Sequence, residues 1–292
     1  MLGMIFACTL LPIAGAVLSA LAATWLRRGA AGWRARVGWD GALLLLVVAI
    51  SNLVLVGWPG LPPHDVKFWP PFVAIAGLPV ALMASSLGRW PLRIGAFLLL
   101  IGAASVVLLV PIYRGESAGT YAKLLSVVIF GWLATRALWA LSARSSSPGA
   151  SLTALVVVSG ASAGAMLLFG TITYAEAVGI IAFAMAVLAV MHWWGGMSRT
   201  GGESMVIALT ILLPMWWVLG ATMSDLPYWT IPLFILAGCS PWLSSLRPFN
   251  DMSDAKRILC VAVLALVVVA PALAWGVLES IRQAGHGGSE GY

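Results

Sequence analysis

Residues 39–58 read WDGALLLLVVAISNLVLVGW, and Asp40 is the only charged residue among them. The apolar residues form a continuous run, LLLLVVAI at 43–50, and do not alternate with polar ones as they would in a transmembrane strand. About 20 predominantly apolar residues in an α-helix are long enough to cross roughly 30 Å of hydrocarbon. This stretch therefore predicts a transmembrane helix.

Similar apolar runs recur along the whole chain of 292 residues, of which 61% are hydrophobic and only 9% are charged. A soluble domain carries about 25% charged residues to face water, so the composition excludes a water-soluble fold. We predict an all-α fold, a polytopic transmembrane helical bundle of about ten spans. The predicted spans are 3–26, 39–58, 69–87, 92–113, 120–142, 151–170, 173–194, 204–222, 228–245 and 257–279. They form a single transmembrane domain at residues 1–280, and a polar, flexible C-terminal tail is predicted at residues 281–292.

The lysines and arginines predict the orientation of the chain, because cytoplasmic loops retain them. With ten alternating spans and the N-terminus outside, twelve of the sixteen fall on the inner side. Both termini are therefore predicted outside. The net charge of +6 indicates contact with the anionic headgroups of a lipid bilayer and not with nucleic acid. Other membrane subunits are further candidate partners.

A weak internal repeat suggests that the spans come as helical hairpins. TYAKLLSVVIF begins at Thr120 and TYAEAVGIIAF begins at Thr173, and the spans that follow begin at Ser151 and Ser204, again 53 residues apart. The alternative is that any two-helix hairpin takes about 50 residues, which would produce the same interval without duplication.

Ionisable residues inside a bilayer are costly, so each one within a predicted span is a functional candidate. Glu176 and Lys123 hold corresponding places near the outer ends of two spans. They are interpreted either as an ion pair, or a proton or cation site, or as two interfacial side chains that reach water separately. Arg136 lies deeper in the inner half, where snorkelling to the cytoplasmic headgroups is expected.

Three further features predict contacts between helices. Ser51 and Asn52 are candidates for an interhelical hydrogen bond. Gly160 and Gly164, in SGASAG, predict a close approach of another helix. Pro214 frees a backbone carbonyl beside Trp216 and Trp217, so a kink there predicts either a cavity or ordinary packing.

The loop WPGLPPHDVKFWPP holds His64, Asp65 and Lys67 on the predicted outer side. It could bind a ligand, a headgroup or a metal, but one His and one Asp do not supply the three or four converging ligands of a metal site. A rigid external turn is therefore the preferred interpretation. The chain contains no catalytic, nucleotide-binding or haem-binding motif, so no catalytic, cofactor-binding or metal residues are predicted.

Two stretches carry a resemblance to other proteins. HDVKFWPPFVAIAGLPVAL at 64–82 and SGASAGAMLLFGTITYAEAVGIIAFAMAVLAVMHWW at 159–194 resemble parts of uncharacterised multi-pass membrane proteins of planctomycete bacteria. The resemblance implies no activity and no functional residue. With the charge distribution, it leads us to expect the bacterial cytoplasmic (inner) membrane as the location.

Three functions follow as hypotheses. The first is a non-enzymatic membrane component with a structural or partner-binding role. The second is a small-solute or ion transporter, and the third is an intramembrane enzyme. A transporter needs a water-filled cavity near the midplane, lined by polar groups or broken helix ends. A bundle packed solid around Ser51, Asn52, Glu176 and Pro214 would speak against transport.

Overall fold

A computed structural model describes residues 6–27, 39–58, 63, 65–83, 90–112, 117–145, 147–169, 172–193, 201–243, 245–246, 249 and 252–286. Within these ranges the chain forms eleven α-helices and no β-strand. The predicted all-α helical bundle is therefore confirmed, and its long apolar helices identify an integral membrane protein that contacts the lipid bilayer.

The helices follow the predicted apolar runs closely. In chain order they are α1 (Leu11–Arg27, after a π-helical turn at Phe6–Leu10), α2 (Trp39–Val56), α3 (Pro70–Met83, after a 3-10 turn at Val66–Phe68), α4 (Trp90–Ile112), α5 (Ala118–Ser145), α6 (Pro148–Leu168), α7 (Ile172–Trp193), α8 (Gly201–Met223), α9 (Thr230–Gly238), α10 (Ser240–Leu243) and α11 (Asp254–His286). Helix α11 continues six residues past the predicted end of the transmembrane domain at 280. The remaining predicted tail, 287–292, lies outside the described residues.

Eight segments of the described chain are helical, apolar and long enough to cross a membrane. The predicted fourth span coincides with α4, whose apolar stretch Ile94–Val110 is shorter. The predicted ninth span is a broken helix, α9 and α10, that is interrupted at Cys239. Pro241 contributes to the break, because its ring nitrogen has no hydrogen to donate to the carbonyl four residues earlier. The total of ten spans therefore stays a prediction.

Helix α8 is the central element of the bundle. It packs mainly against α2, α3 and α5, and it also contacts α4, α6 and α7. The side chains from Ser204 to Trp217 are all buried, whereas much of the surface of α5 and α11 is exposed. A helix that is apolar all round and surrounded by other helices meets side chains and not lipid on every face. The bundle is therefore built around α8.

Contacts near the helix ends agree with helices that alternate in direction. The start of α2 meets the start of α8, where the Gly41 amide donates to Ser204 Oγ over 3.3 Å. Gly149, at the start of α6, lies against Ile258 near the start of α11 and His192 near the end of α7. The described contacts therefore agree with the alternating helix directions that the predicted orientation assumes.

The 53-residue repeat finds little support in the packing. The predicted hairpins correspond to α5 with α6 and to α7 with α8, and each of these pairs makes few contacts. The most extensive packing is between α6 and α7, which belong to different units. Duplication of a hairpin stays a prediction, but its two helices do not pack closely together here.

Small residues bring helices together, although not where the sequence predicted. A Cβ added at Gly160 would find no described atom within 4 Å, and one at Gly164 would make an ordinary contact with Leu273 of α11 at 3.5 Å. The prediction for Gly160 is therefore wrong, because this residue points away from the neighbouring helices. Close approach occurs instead at Gly41, where a Cβ would overlap the Ser204 backbone carbonyl, and at Gly238, where it would overlap the Trp139 indole.

This difference predicts opposite effects of two identical substitutions. Gly41→Ala forces apart α2 and α8 and should destabilise the fold by about 1–3 kcal/mol, the usual cost of overpacking. Gly160→Ala adds a methyl group in open space and should leave stability unchanged or raise it by about 0.5–1 kcal/mol. Unfolding of both variants in mixed detergent micelles measures the effect. Equal stability of the two variants would contradict the packing at Gly41.

Candidate functional site

The candidate site begins at a backbone carbonyl that the central helix leaves without its usual partner. Pro214 lies inside α8 and has no N–H, so it cannot bond to the Thr210 carbonyl four residues earlier. The indole N–H of Trp132, on α5, donates to that carbonyl instead. An unsatisfied carbonyl in hydrocarbon costs several kcal/mol, so the side chain of one helix repairs the backbone of another.

At the break between α9 and α10, side chains of α5 again donate to backbone carbonyls of another helix. The indole N–H of Trp139 donates to the Ile235 carbonyl over 3.0 Å, near the end of α9. Ser142 Oγ donates to the carbonyl of Cys239, at the break itself, over 3.3 Å. The absence of a side chain at Gly238 allows the Trp139 ring to lie against the backbone. Helix α5 therefore provides side-chain hydrogen-bond donors both for α8, at Pro214, and for the break between α9 and α10.

Aromatic side chains connect the two sites at which α5 donates to a backbone carbonyl. Trp217 donates its indole N–H to Ser162 Oγ of α6 over 2.9 Å. Its ring stacks on Phe234 of α9 with centroids 5.5 Å apart and meets the edge of Trp139 at 6.0 Å. Such pairs add about 0.5–1.5 kcal/mol each beyond the area that they bury. Trp217 thereby joins α5, α6, α8 and α9 at one level of the bundle.

Beside this cluster lies a pocket of about 340 Å³ between α4, α5, α8 and α9, which we call the α5–α9 pocket. Its lining residues are Leu109, Leu124, Val127, Val128, Gly131, Trp132, Thr135, Pro214, Trp217, Val218, Thr222, Tyr228, Ile231, Pro232 and Ile235. The volume falls within the range of small-molecule sites, about 300–1,000 Å³.

The α5–α9 pocket offers few polar groups to an occupant. Thr135 donates its hydroxyl to Gly131 O over 2.8 Å, and Thr222 donates to Val218 O over 2.7 Å, each within its own helix. The Thr210 carbonyl accepts from the indole N–H of the lining residue Trp132 and is not free for an occupant. The remaining wall is almost entirely hydrocarbon or aromatic. The pocket therefore suits an apolar ligand and not a hydrated solute.

The shape of the α5–α9 pocket follows from the two helices that flank it. Helices α5 and α9 touch at Trp139 and Gly238 and make few other contacts. At the opposite end Val127 lines the pocket and is 69% exposed, and Pro232 is exposed as well. The pocket therefore opens sideways, between α5 and α9, toward the surface that faces lipid.

The predicted cavity beside Pro214 thus has a counterpart, but only one of the two adjacent tryptophans lines it. Trp216 is turned away from the α5–α9 pocket and packs against Tyr174 of α7, with ring centroids 5.7 Å apart. Its indole N–H, although buried, makes no hydrogen bond within the described part of the chain.

Ser51 and Asn52 are both buried, as expected for residues that face other helices. The Asn52 amide donates to Val48 O of its own helix over 2.9 Å. Asn52 Oδ1 and Ser51 Oγ make no hydrogen bond with the described residues. Within the described residues neither side chain makes the predicted interhelical hydrogen bond.

The structure does not bring Lys123 and Glu176 together. Each lies near the start of its helix, α5 or α7, and these helices are not packed closely against one another. Lys123 is exposed, Glu176 is half-buried, and they form no ion pair with each other. This placement agrees with two separate interfacial side chains.

Arg136 lies in the C-terminal half of α5, and its guanidinium carbon is 5.6 Å from the ring centroid of the buried Phe97 of α4. A cation over an aromatic face is attracted by the ring quadrupole. Arg136 therefore packs between helices in addition to any snorkelling.

The described part of the loop before α3 forms a compact turn. Lys67 Nζ is 3.2 Å from Asp65 Oδ2, and the Lys67 amide donates to Asp65 Oδ1, also over 3.2 Å. Lys67 Nζ also lies 5.2 Å from the centroid of the Phe68 ring. These contacts agree with a rigid turn, and His64 lies outside the described residues.

Sequence reasoning missed Trp139. It follows Trp132 by seven residues, so both indoles lie on one face of α5. That spacing indicates that the two indoles face the same way. It does not identify the carbonyls that they bind, because these lie on helices distant in sequence.

Among the residues that the structure describes, no group of three or more His, Cys, Asp or Glu side chains could hold a metal ion. The chain matches neither a known protein family nor a curated protein with which it was compared.

Proposed function

We propose that this integral membrane protein is a non-enzymatic component with a structural and binding role, which acts on molecules within the membrane plane. One observation carries the proposal. The carbonyls freed at Pro214 and at the α9–α10 break are covered by indole N–H groups of α5. Helix breaks that transporters leave open toward a substrate are closed here by the protein itself.

The packing of α8 supports the same proposal. A path for a hydrated solute needs polar groups that line a cavity near the midplane. The described middle of α8, from Met205 to Trp217, is instead buried among neighbouring side chains, and the adjoining α5–α9 pocket is apolar.

A transporter remains the second candidate because of one specific observation. Ser51 Oγ, Asn52 Oδ1 and Trp216 Nε1 are buried and make no hydrogen bond within the described chain. A buried polar atom without a partner costs about 1–3 kcal/mol, and a solute or water could satisfy it. If these atoms served transport, Asn52 would be the residue to remove. No corresponding observation favours an enzyme.

A flux measurement separates the two candidates. Purified protein in phosphatidylcholine vesicles is loaded with pyranine and exposed to a potassium diffusion potential, and proton entry is followed by fluorescence. Uptake of ethidium is measured in parallel. We expect rates equal to those of protein-free vesicles for the native chain and for Asn52→Leu, since the described part of α8 is packed against side chains and the adjoining pocket is apolar.

The assay needs two controls. A proton ionophore shows that the vesicles report flux, and size-exclusion chromatography shows that Asn52→Leu is folded. Flux of protons or ethidium that depends on the native protein and disappears in Asn52→Leu would refute the proposal and establish transport.

We further propose that the chain resides in the bacterial cytoplasmic membrane with both termini outside. The support is that ten alternating spans would place twelve of the sixteen lysines and arginines on one side of the membrane. The described loop with Lys67 would then face outward, and Lys256 at the start of α11 would face the cytoplasm.

Labelling of single cysteines in intact cells tests this orientation. Cys8, Cys239 and Cys260 are first replaced by alanine, and Lys67→Cys or Lys256→Cys is added. Both positions are accessible, at least in part, in the described structure. A membrane-impermeant maleimide should label Lys67→Cys before lysis and Lys256→Cys only after it. The reverse order would invert the topology.

A further inference from the structure

We infer that the α5–α9 pocket holds one acyl chain of an anionic glycerophospholipid, whose headgroup lies at Lys123. This inference deepens the proposed binding role and rests on it, because it names the bound molecule as a membrane lipid.

The dimensions of the pocket match one leaflet of a bilayer. Its lining on α5 extends from Leu124 to Thr135, a rise of about 16 Å at about 1.5 Å per residue. The hydrocarbon core of a bilayer is about 30 Å thick, so each leaflet contributes roughly half of that depth. The pocket therefore spans the length over which a single lipid tail lies.

The opening of the pocket gives a tail direct access from the bilayer. Val127 and Pro232 flank the gap between α5 and α9, and both are exposed to the surroundings of the bundle. The far end is closed where Trp139 meets Gly238. A chain that enters sideways can thus lie along Pro214 and Trp217 without crossing a polar barrier.

The charge at the rim favours an anionic headgroup. Lys123 directly precedes the lining residue Leu124 and lies one turn before Val127. Its ammonium group is exposed, and it forms no ion pair within the described part of the chain. A tail in the pocket places its headgroup at the interfacial end of α5, where the phosphate of a phosphatidylglycerol would meet this cation.

The glycine in the pocket wall supplies a specific way to block it. A Cβ added at Gly131 would meet no described atom within 4 Å, and the residue lines the pocket. Gly131→Leu should therefore project a side chain into the space of the tail from a position where a Cβ meets no neighbour. Gly102 on α4 has equally open surroundings but does not line the pocket, so Gly102→Leu is the matched control.

Photocrosslinking in phosphatidylcholine nanodiscs tests the inference. The discs contain a small, equal mole fraction of either phosphatidylglycerol or phosphatidylcholine with a diazirine in one acyl chain, and adducts are mapped by peptide mass spectrometry. We expect adducts on residues 127–135 and 231–235. The yield should be about fivefold higher for phosphatidylglycerol, which corresponds to ~1 kcal/mol for one lysine.

The variants separate the two parts of the inference. Lys123→Gln should reduce the yield with the phosphatidylglycerol probe to that with phosphatidylcholine, and Gly131→Leu should remove both adducts, whereas Gly102→Leu should change neither. Adducts spread evenly over the lipid-facing helices, or yields unaffected by Gly131→Leu, would overturn the tail site. Equal yields of the two probes in the native protein would overturn the role of Lys123.

Crosslinking and flux report different properties. Adducts measure lipid occupancy, whereas the vesicle assay measures permeation. An absence of adducts with no flux would refute the lipid site alone, and flux through the native protein would refute the proposed function whatever the lipid result.

Discussion

A backbone carbonyl inside a bilayer has no water to accept from, so every interruption of a helix must be satisfied by the protein. This constraint organises the bundle. Pro214 interrupts the hydrogen bonds of the most deeply buried helix, and Trp132 supplies the missing donor at Thr210. Trp139 donates to the Ile235 carbonyl, which also accepts from the Cys239 thiol, in the last turn before the ninth predicted span breaks at Cys239. Helix α5 is thereby tied to both α8 and α9 by directed bonds.

These hydrogen bonds select which helices pack together. Burial of apolar surface gives little such preference inside a bilayer, because the lipid tails are as apolar as the side chains. Close backbone approach at Gly41 and Gly238 and indole donors to carbonyls provide that preference instead. The same arrangement leaves the N-terminal parts of α5 and α9 apart, since their contact is concentrated near Trp139 and Gly238. The apolar pocket is thus a consequence of how the breaks are satisfied.

The all-α bundle and the places of most helices could be predicted because they depend on local apolar runs. The same holds for the interruption at Pro214, since proline acts on its own helix. Helix rotation could not be predicted, because a helix that is apolar all round has no polar face to mark its outside. For this reason Gly160 was assigned to an interface that it does not reach, and Asn52 was assigned an interhelical bond that its amide does not make. The partners of Trp139 depend on the same unknown rotation.

A double-mutant cycle between Trp132 and Pro214 tests most directly whether α5 repairs the central helix. The unfolding free energy of the native chain, Trp132→Phe, Pro214→Ala and the double variant is measured in mixed micelles. Pro214→Ala restores the N–H that bonds to Thr210, and the loss of ring volume at residue 132 cancels in the cycle. Trp132→Phe should therefore cost about 1–3 kcal/mol more in the native background than in the Pro214→Ala background. An equal cost in both backgrounds would show that the indole does not serve the carbonyl freed by Pro214.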